Sequence, residues 1–572
     1  MNFNANCKGS TTIIKVLLIA MMASIALLLS GSFLLGYEKS INALITLFNK
    51  EERKEFVFAI ATKELFLKVR IYFMILLVCN FGISLYLWNK LEYLLISLND
   101  TLRSLFKDCI AFYCSMTKTE RLLAVIILVS LIWHRLYLMF NLPVNSDEIW
   151  MFQSFGKNNP LLSFFWYPLP SNHVLQTFVS RIFLYFSPYS LVSMRFPVVL
   201  AGIVTYILYC VIADTFLNNK RHTLLSAVIF AASAGVNTSL VYARGYAFTM
   251  IFTLLLIYFI LKIFREGKSS PGDYAMIYFS IVMGFVSVFS FAYNFVTVVG
   301  FFIIYLILKG RVQDAGKLIA FSILSIVTVL VIYGPIFIVN GWDAVFIPPH
   351  TNEYLNTVLK DHIRVKIIDW FIGVHDAAPV IISALAVLPV ILWFVKKDEV
   401  SRLILSLTIF SMLIPWVIMF GHQVYPFGRM LNFIWIFIAI EGGILFSLIK
   451  TKMNEKFFSF SLLVALIMVF GLNEISLKNG VFGKHLKTGH HSEKIAEKLL
   501  AENRRNVYFE NSEYSMMAEY LYAKSGIPIS FAYSKNEAVD AVVINRASTP
   551  APWILDKFKL KYQDEDVCIY VP

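Results

Sequence analysis

Long apolar stretches recur along most of the chain and are separated by short polar segments. Each is about twenty residues long, and a helix of that length, at 1.5 Å per residue, crosses the roughly 30 Å hydrocarbon core of a bilayer. The stretches lie near residues 14–36, 71–89, 121–140, 190–213, 223–243, 246–264, 274–291, 293–308, 317–339, 378–395, 402–420, 430–449 and 457–475. The pattern predicts about thirteen transmembrane helices. An odd number of spans places the two termini on opposite sides of the membrane.

The pattern changes after residue 475. Residues 492–503 carry apolar side chains at helical spacing, and short runs rich in β-branched and aromatic residues follow. The β-type runs are NVYF, PISF, DAVVIN and DVCIYV, with a helical segment EYSMMAEYLYAKSG between the first two. This predicts a small α/β domain. It has no Gly-rich phosphate loop, His/Cys cluster or nucleophile motif, which favours a rigid cap or docking module over a catalytic domain.

Composition supports a membrane protein. The 572 residues are 58% hydrophobic and 15% charged, and a soluble globule of this composition would expose large apolar areas. The predicted fold is an all-α polytopic membrane protein with a small C-terminal extracytoplasmic α/β domain. Its parts are two N-terminal spans with amphipathic connectors (1–120), a transmembrane catalytic domain (121–475) and the α/β domain (476–572).

Positive charges in the short loops predict the orientation, because Lys and Arg beside a span are retained in the cytoplasm. One set of alternate loops carries Lys220 and Arg221; Lys262, Arg265 and Lys268; Lys309, Arg311 and Lys317; Lys396, Lys397 and Arg402; and Lys450, Lys452 and Lys456. We therefore place the N-terminus in the cytoplasm, and the loops 141–189 and 340–377 and the tail outside the inner (plasma) membrane. Segment 37–70 departs from this pattern, because parity places it outside although it is rich in Lys and Arg.

The basic residues of these loops account for most of the net charge of +13. The sequence shows no basic stretch with interleaved aromatic residues, so no nucleic-acid partner is predicted. The six cysteines do not form a disulfide framework. Cys568 is the single cysteine of the predicted external tail, which argues against a disulfide there.

The first candidate site is the long aromatic loop after the third span. It carries the adjacent carboxylates Asp147 and Glu148 and, further on, His173. Ionisable groups beside the bilayer commonly mark function. The alternative is structural: Ser146 would cap a short helix whose dipole favours the two acids, and His173 would be an ordinary interfacial histidine.

Two further candidates are arginines in short external turns. Arg244 lies between two apolar spans with no acid nearby in sequence, and Arg429 follows Tyr425 in the turn GHQVYPFGRML. An arginine at headgroup level suits phosphate, which its planar guanidinium grips with two hydrogen bonds. The alternative for Arg244 is a side chain that snorkels to lipid phosphate.

Four motifs in this order resemble the C-fold membrane glycosyltransferases (GT-C). They are SDE (146–148), NHVL (172–175), RFP (195–197) and ARGYAF (243–248). The resemblance extends over residues 121–475 and is strongest to bacterial relatives of the protein O-mannosyltransferases and of the lipid A aminoarabinose transferase. It implies transfer of a sugar from a polyprenyl-phosphate donor to an acceptor hydroxyl outside the cytoplasm.

The resemblance also implies roles for single residues. Asp147 matches the family's general base, with Glu148 as its acidic neighbour, and His173 lines the cavity. Arg244, like Arg195, is structural or near the donor, and Arg429 lies near the donor phosphate.

Such a site needs no dedicated general acid, because phosphate is already a good leaving group, and in-line displacement inverts the anomeric carbon. No cofactor is expected. A Mg²⁺ or Mn²⁺ ion held by Asp147, Glu148 and His173 is the alternative to a site without a cofactor.

The alternative function is that of a transporter or flippase for a lipid-linked glycan. Transporters typically carry internal repeats and helices broken at mid-membrane. This chain has no convincing repeat, and its ionisable residues gather at one membrane face, which favours an enzyme. The sequence identifies neither the sugar nor the acceptor.

Overall fold

The computed structural model describes residues 3–47, 54–156, 163–164, 173–187, 191–267, 270–341, 378–422, 428–448, 455–478, 480–510, 512–532, 539–546, 548–563 and 567–572. The fold is dominated by helices that follow the apolar stretches, and strands occur near the C-terminus. The predicted class, a helical polytopic protein with a small C-terminal α/β domain, is confirmed for the described residues.

The helices of the described residues are numbered along the chain. They are α1 (Phe3–Leu47), α2 (Lys54–Ile60), α3 (Lys63–Leu87), α4 (Leu91–Cys114), α5 (Lys118–Asn141), α6 (Ser146–Met151), α7 (Val174–Phe186), α8 (Leu191–Leu217), α9 (Lys220–Phe230), α10 (Ala234–Ser239), α11 (Tyr246–Glu266), α12 (Pro271–Ser287), α13 (Ala292–Leu308), α14 (Val312–Asn340), α15 (Ala378–Val395), α16 (Glu399–His422), α17 (Ile434–Ser447), α18 (Glu455–Lys478), α19 (Gly480–Ala501), α20 (Ser512–Lys524) and α21 (Pro552–Lys557).

Within the described residues, nine helices are long and apolar enough to cross a membrane. They are Thr11–Thr46, Lys63–Tyr86, Lys118–Asn141, Val192–Leu217, Tyr246–Arg265, Phe289–Leu308, Val312–Asn340, Glu399–Gly421 and Glu455–Ile475. The chain is thus a multi-pass membrane protein. The other predicted spans fall on α9 with α10, on the 17-residue α12, on α15 and on the 14-residue α17.

The span predicted over 223–243 is not one helix. Helix α9 ends at Phe230, and α10 begins at Ala234 after a turn. Polar side chains make this break possible inside an apolar segment. The Ser233 hydroxyl caps α10 by accepting from the Val236 N–H at 3.2 Å, and the Asn237 amide donates to the Ala231 carbonyl at 2.8 Å. These bonds satisfy backbone groups that the interrupted helix leaves open.

The chain divides into two compact units. The first comprises Met1–Ser115, Leu161–Pro170 and Phe252–Pro349. In it the amphipathic helix α4 packs against α12. The Gly272 N–H donates to the Ser97 hydroxyl at 2.8 Å, and a Cβ at Gly272 would lie 2.4 Å from the Ser97 carbonyl oxygen. A glycine is therefore required for this close approach.

The second unit comprises Met116–Pro160, Ser171–Ile251 and His350–Pro572. Its helical part packs through α8, α9 and α17. Tyr209 stacks on Phe230 with ring centroids 4.3 Å apart, and the Ser226 hydroxyl donates to the Ala439 carbonyl at 2.8 Å. All the candidate site residues that the structure describes belong to this unit.

The tail of the second unit carries a sheet. In its described residues five strands, β1 (Asn506–Phe509), β2 (Ser530–Ala532), β3 (Ala541–Asn545), β4 (Lys559–Gln563) and β5 (Val567–Val571), lie in the order β2-β1-β3-β5-β4. Strand β1 pairs in parallel with β2 and β3, and β5 runs antiparallel to β3 and β4. The four predicted strands and both predicted helices are confirmed, whereas β4 and α21 were not predicted.

Candidate functional site

The loop that follows α5 enters the short helix α6 through an asparagine cap. The Asn145 side chain accepts from the Asp147 N–H at 2.9 Å, and the Glu148 carboxylate accepts from the Asn145 N–H at 3.1 Å. The Asn145 side chain also accepts from the backbone N–H of Glu148, so Asn145 and Glu148 form a reciprocal capping box that satisfies open N–H groups of the first turn. The suggested cap at Ser146 is thus wrong, because Asn145 precedes the first helical residue.

Glu148 is completely buried and engaged at both carboxylate oxygens. Arg195 donates from Nε to Oε1 at 3.0 Å and from Nη2 to Oε2 at 2.6 Å, and neither side chain of the pair has exposed surface. The Ala243 N–H donates to Oε1 at 2.6 Å. Glu148 therefore ties α6 to α8 and to the backbone beside Arg244.

Arg195 extends this network to the end of α5. Its Nη1 donates to the carbonyls of Met139 and Leu142 at 3.0 and 2.8 Å, and its Nη2 donates to Pro143 at 2.9 Å. A helix end leaves carbonyls without intrahelical partners, and a buried arginine can satisfy several of them at once. The Glu148–Arg195 pair thus fixes where the chain leaves α5 and where α6 begins.

Asp147 lies next to Glu148 in the sequence but occupies a different environment. Its side chain is 30% exposed, and its Oδ2 is 2.7 Å from Nη2 of Arg244, whose side chain is 6% exposed. Successive residues of a helix point in different directions, so the two acids face different surroundings. Asp147 is the carboxylate that solvent can reach.

Aromatic and basic side chains surround this ion pair. The Arg244 Nε donates to Nε2 of His173 at 3.4 Å, and His173 is 2% exposed. The Arg244 guanidinium lies 5.5 Å from the ring centroid of Tyr246, and His173 meets the same ring edge-on at 5.5 Å. The Arg429 Nε donates to the Tyr246 hydroxyl at 3.1 Å. Tyr246 therefore connects the two arginines.

The two guanidinium groups create a concentrated positive charge. Burial lowers the pKa of Arg244, the nearby Arg429 lowers it further, and Asp147 acts in the opposite direction. The guanidinium group of an arginine is not deprotonated in proteins. Two adjacent cations and one accessible carboxylate can hold an anionic group and accept a proton beside it.

The structure brings together most of the predicted site residues. Asp147, His173, Arg244 and Arg429 form one cluster, and Glu148 lies in the buried network beneath it. Tyr425 lies outside the described residues. Sequence reasoning assigned no role to Tyr246 or Asn145, although Tyr246 is two residues from Arg244 and Asn145 directly precedes the SDE motif.

The carboxylates proposed as ligands of a Mg²⁺ or Mn²⁺ ion already have partners in the structure. The oxygens of Glu148 are committed to Arg195, Ala243 and Asn145, and Asp147 is paired with Arg244. Among the residues that the structure describes, no group of three or more His, Cys, Asp or Glu side chains is arranged to hold a metal ion.

No protein-family model matches this sequence, and no curated protein matches it. Among solved structures, the chain is similar to ArnT from Cupriavidus metallidurans, both bound to undecaprenyl phosphate and in the apo state. Each comparison has 10% identity and a TM-score of 0.46, and covers 78% of this chain and 97% of ArnT. The chain is also similar to the arabinosyltransferase EmbB from Mycobacterium smegmatis, with 9% identity, a TM-score of 0.38, and coverage of 87% of this chain and 49% of EmbB.

Proposed function

We propose that the protein is a membrane glycosyltransferase that moves a sugar from a polyprenyl-phosphate donor to an acceptor hydroxyl on the external side of the membrane. The observation that carries this proposal is the pairing of the accessible Asp147 carboxylate with Arg244, beside a second arginine, Arg429. The chemistry of transfer requires both elements: cations for the donor phosphate and a base for the acceptor hydroxyl.

The arginines are suited to a phosphate attached to a lipid. Arg244 comes two residues before the apolar helix α11, and Arg429 lies in a short 3₁₀ turn before α17. Both are therefore at the ends of hydrophobic helices, where a lipid headgroup would meet the protein. A guanidinium fork matches two phosphate oxygens, and two such groups neutralise the charge that develops on the leaving phosphate.

Asp147 is the proposed base. In the absence of donor its carboxylate is held by Arg244, and a bound phosphate would compete for the same guanidinium. The carboxylate, loosened from Arg244, then accepts the proton of the acceptor hydroxyl as that oxygen attacks the anomeric carbon. In the same step the bond between the anomeric carbon and the phosphate oxygen breaks, and the phosphate leaves with the electron pair. The configuration at the anomeric carbon inverts. General-base help of this kind contributes about 10² to 10⁴ in rate.

His173 and Glu148 have supporting roles in this proposal. His173 accepts from Arg244 through Nε2, which leaves the other guanidinium nitrogens for Asp147 or the phosphate. Glu148 is a positioning residue, since Arg195, Asn145 and Ala243 already occupy its oxygens.

Mass spectrometry of surface glycans and glycolipids from cells with and without the gene tests this function. We expect one sugar to be missing from an external glycan, lipid or protein in the deletion strain, while its lipid-linked donor accumulates. Restoration by the wild-type gene but not by an Asp147→Asn variant would link the loss to the site. Unchanged glycans would contradict the proposal, and a donor trapped on the cytoplasmic leaflet would instead indicate a transporter.

A further inference from the structure

The tail domain and the Asp147 loop share one hydrophobic core. The loop contributes residues from Val144 to Phe155, and helix α20 of the tail contributes Met517, Ala518, Tyr520 and Leu521. The buried members are Val144, Ile149, Met151, Phe152, Phe155, Leu184, Met194, Ala243, Ala496, Met517, Ala518, Tyr520 and Leu521. The tail thus packs directly against the segment that carries the proposed base.

Individual contacts show how closely the two parts fit. The Tyr520 ring meets the Phe152 ring edge-on, with centroids 5.8 Å apart and an interplanar angle of 86°. A Cβ at Gly489, in helix α19, would lie 2.8 Å from the Cβ of Pro143, so the helix touches the loop at its exit from α5.

Helix α6 needs such support because it is short. It spans six residues, and a helix of that length is unstable without tertiary packing. The Glu148–Arg195 pair holds α6 on one side. The apolar residues Ile149 and Met151 are 1% and 2% exposed and belong to the core shared with α20. The position of Asp147 therefore depends on the tail as well as on the transmembrane helices.

We propose that helix α20 of the tail domain is a positioning element for Asp147 and acts through the packing of Tyr520 against Phe152. The tail is then a working part of the site and not a detachable cap. The predicted effect of α20 on the rate of sugar transfer rests on the proposed function. Its predicted effect on the local stability of α6 does not.

Hydrogen–deuterium exchange on the full-length protein in lipid nanodiscs separates these two effects. In Tyr520→Ala we expect amides of residues 145–156 to exchange about tenfold faster or more, because loss of the ring lets α6 open locally. Tyr520→Phe keeps the ring and should exchange like the wild type. Unchanged exchange in Tyr520→Ala, or equally fast exchange in Tyr520→Phe, would overturn the packing role.

The matched control lies on the face of the tail's sheet opposite to α20. Trp553 packs against Tyr508 and Phe558, beside a core that shares no buried residue with the core around Tyr520. Trp553→Ala should perturb the tail while leaving exchange in 145–156 unchanged. If it accelerates exchange as much as Tyr520→Ala does, the effect reflects the stability of the whole tail and the proposal fails.

Kinetics form the second readout. With a polyprenyl-phosphate sugar as donor, Tyr520→Ala should lower kcat by about tenfold or more. The KM for the donor should change little, because the proposed phosphate-binding residues Arg244 and Arg429 are unchanged. Faster exchange with unchanged kcat would overturn the positioning of Asp147. If the wild type transfers no sugar, the proposed function fails, and the exchange result still decides whether α20 orders α6.

Discussion

Asp147 and Arg244, 97 positions apart in the chain (244 minus 147), form an ion pair with 2.7 Å between Oδ2 and Nη2. The carboxylate is partly exposed and the guanidinium is almost completely buried. In the proposed reaction the same arginine serves two anions in turn, first the carboxylate and then the donor phosphate. Base and donor site are thereby coupled through one side chain.

Asp147→Asn separates chemistry from structure. The Asn side chain has the same shape and still accepts a hydrogen bond from Arg244, but it cannot take a proton. We expect transfer to fall by a factor of about 10² or more, with normal accumulation in the membrane. The measurement is single-turnover transfer by purified protein with matched protein amounts. Transfer at a rate near that of the wild type would remove Asp147 as the base.

Glu148→Gln is expected to act on stability instead. The change leaves Arg195 buried without a compensating charge, which commonly costs about 3–5 kcal/mol. We expect a lower midpoint of thermal unfolding and poor accumulation. The double change Glu148→Leu with Arg195→Leu should not restore stability, since the carbonyls of Met139, Leu142 and Pro143 lose their donors. A double variant as stable as the wild type would show that these bonds contribute little.

Arg429→Lys tests the phosphate site. Lysine keeps the charge but lacks the planar fork, so the KM for the lipid-linked donor should rise, and Arg429→Ala should raise it more. Tyr246→Phe is the matched control, because it removes only the hydroxyl that accepts from Arg429. We expect a smaller increase in KM there. Wild-type kinetics in Arg429→Ala would exclude this residue from donor binding.

The orientation of the tail requires an introduced cysteine. Cys568, the native candidate for labelling, is 6% exposed within the sheet and so is protected from reagents. In a chain without native cysteines, Lys559→Cys at the exposed β4 should react with a membrane-impermeant maleimide on intact cells. Lys397→Cys, in a loop predicted to be cytoplasmic, should react only after permeabilisation. The reverse result would contradict the predicted topology.

Chelation tests the expectation that no divalent ion is needed. Because the oxygens of Glu148 are already engaged and Asp147 is paired with Arg244, we expect transfer to persist in EDTA. Activity is measured before and after chelation, and then with Mg²⁺ or Mn²⁺ restored. A loss of activity that either ion reverses would favour the metal alternative.

Local sequence determined much of this protein. Whether a segment enters a membrane depends mainly on the length and apolarity of that segment, so the described spans follow the apolar stretches. Short runs rich in β-branched and aromatic residues likewise identified β1, β2, β3 and β5 in the tail. Asp147, His173, Arg244 and Arg429 could be singled out because ionisable groups beside apolar spans are costly and few.

Only the tertiary structure decided how these groups are used. Asp147 and Glu148 are adjacent and chemically alike, yet one faces solvent and Arg244 while the other is buried. Glu148 is fixed by Arg195, 47 positions away, and by the Ala243 N–H, 95 positions away. The break between α9 and α10 and the packing of α20 on α6 also depend on partners distant in sequence. Hydrophobicity and helix length are properties of a segment, whereas the environment of a charge is set by every element that surrounds it.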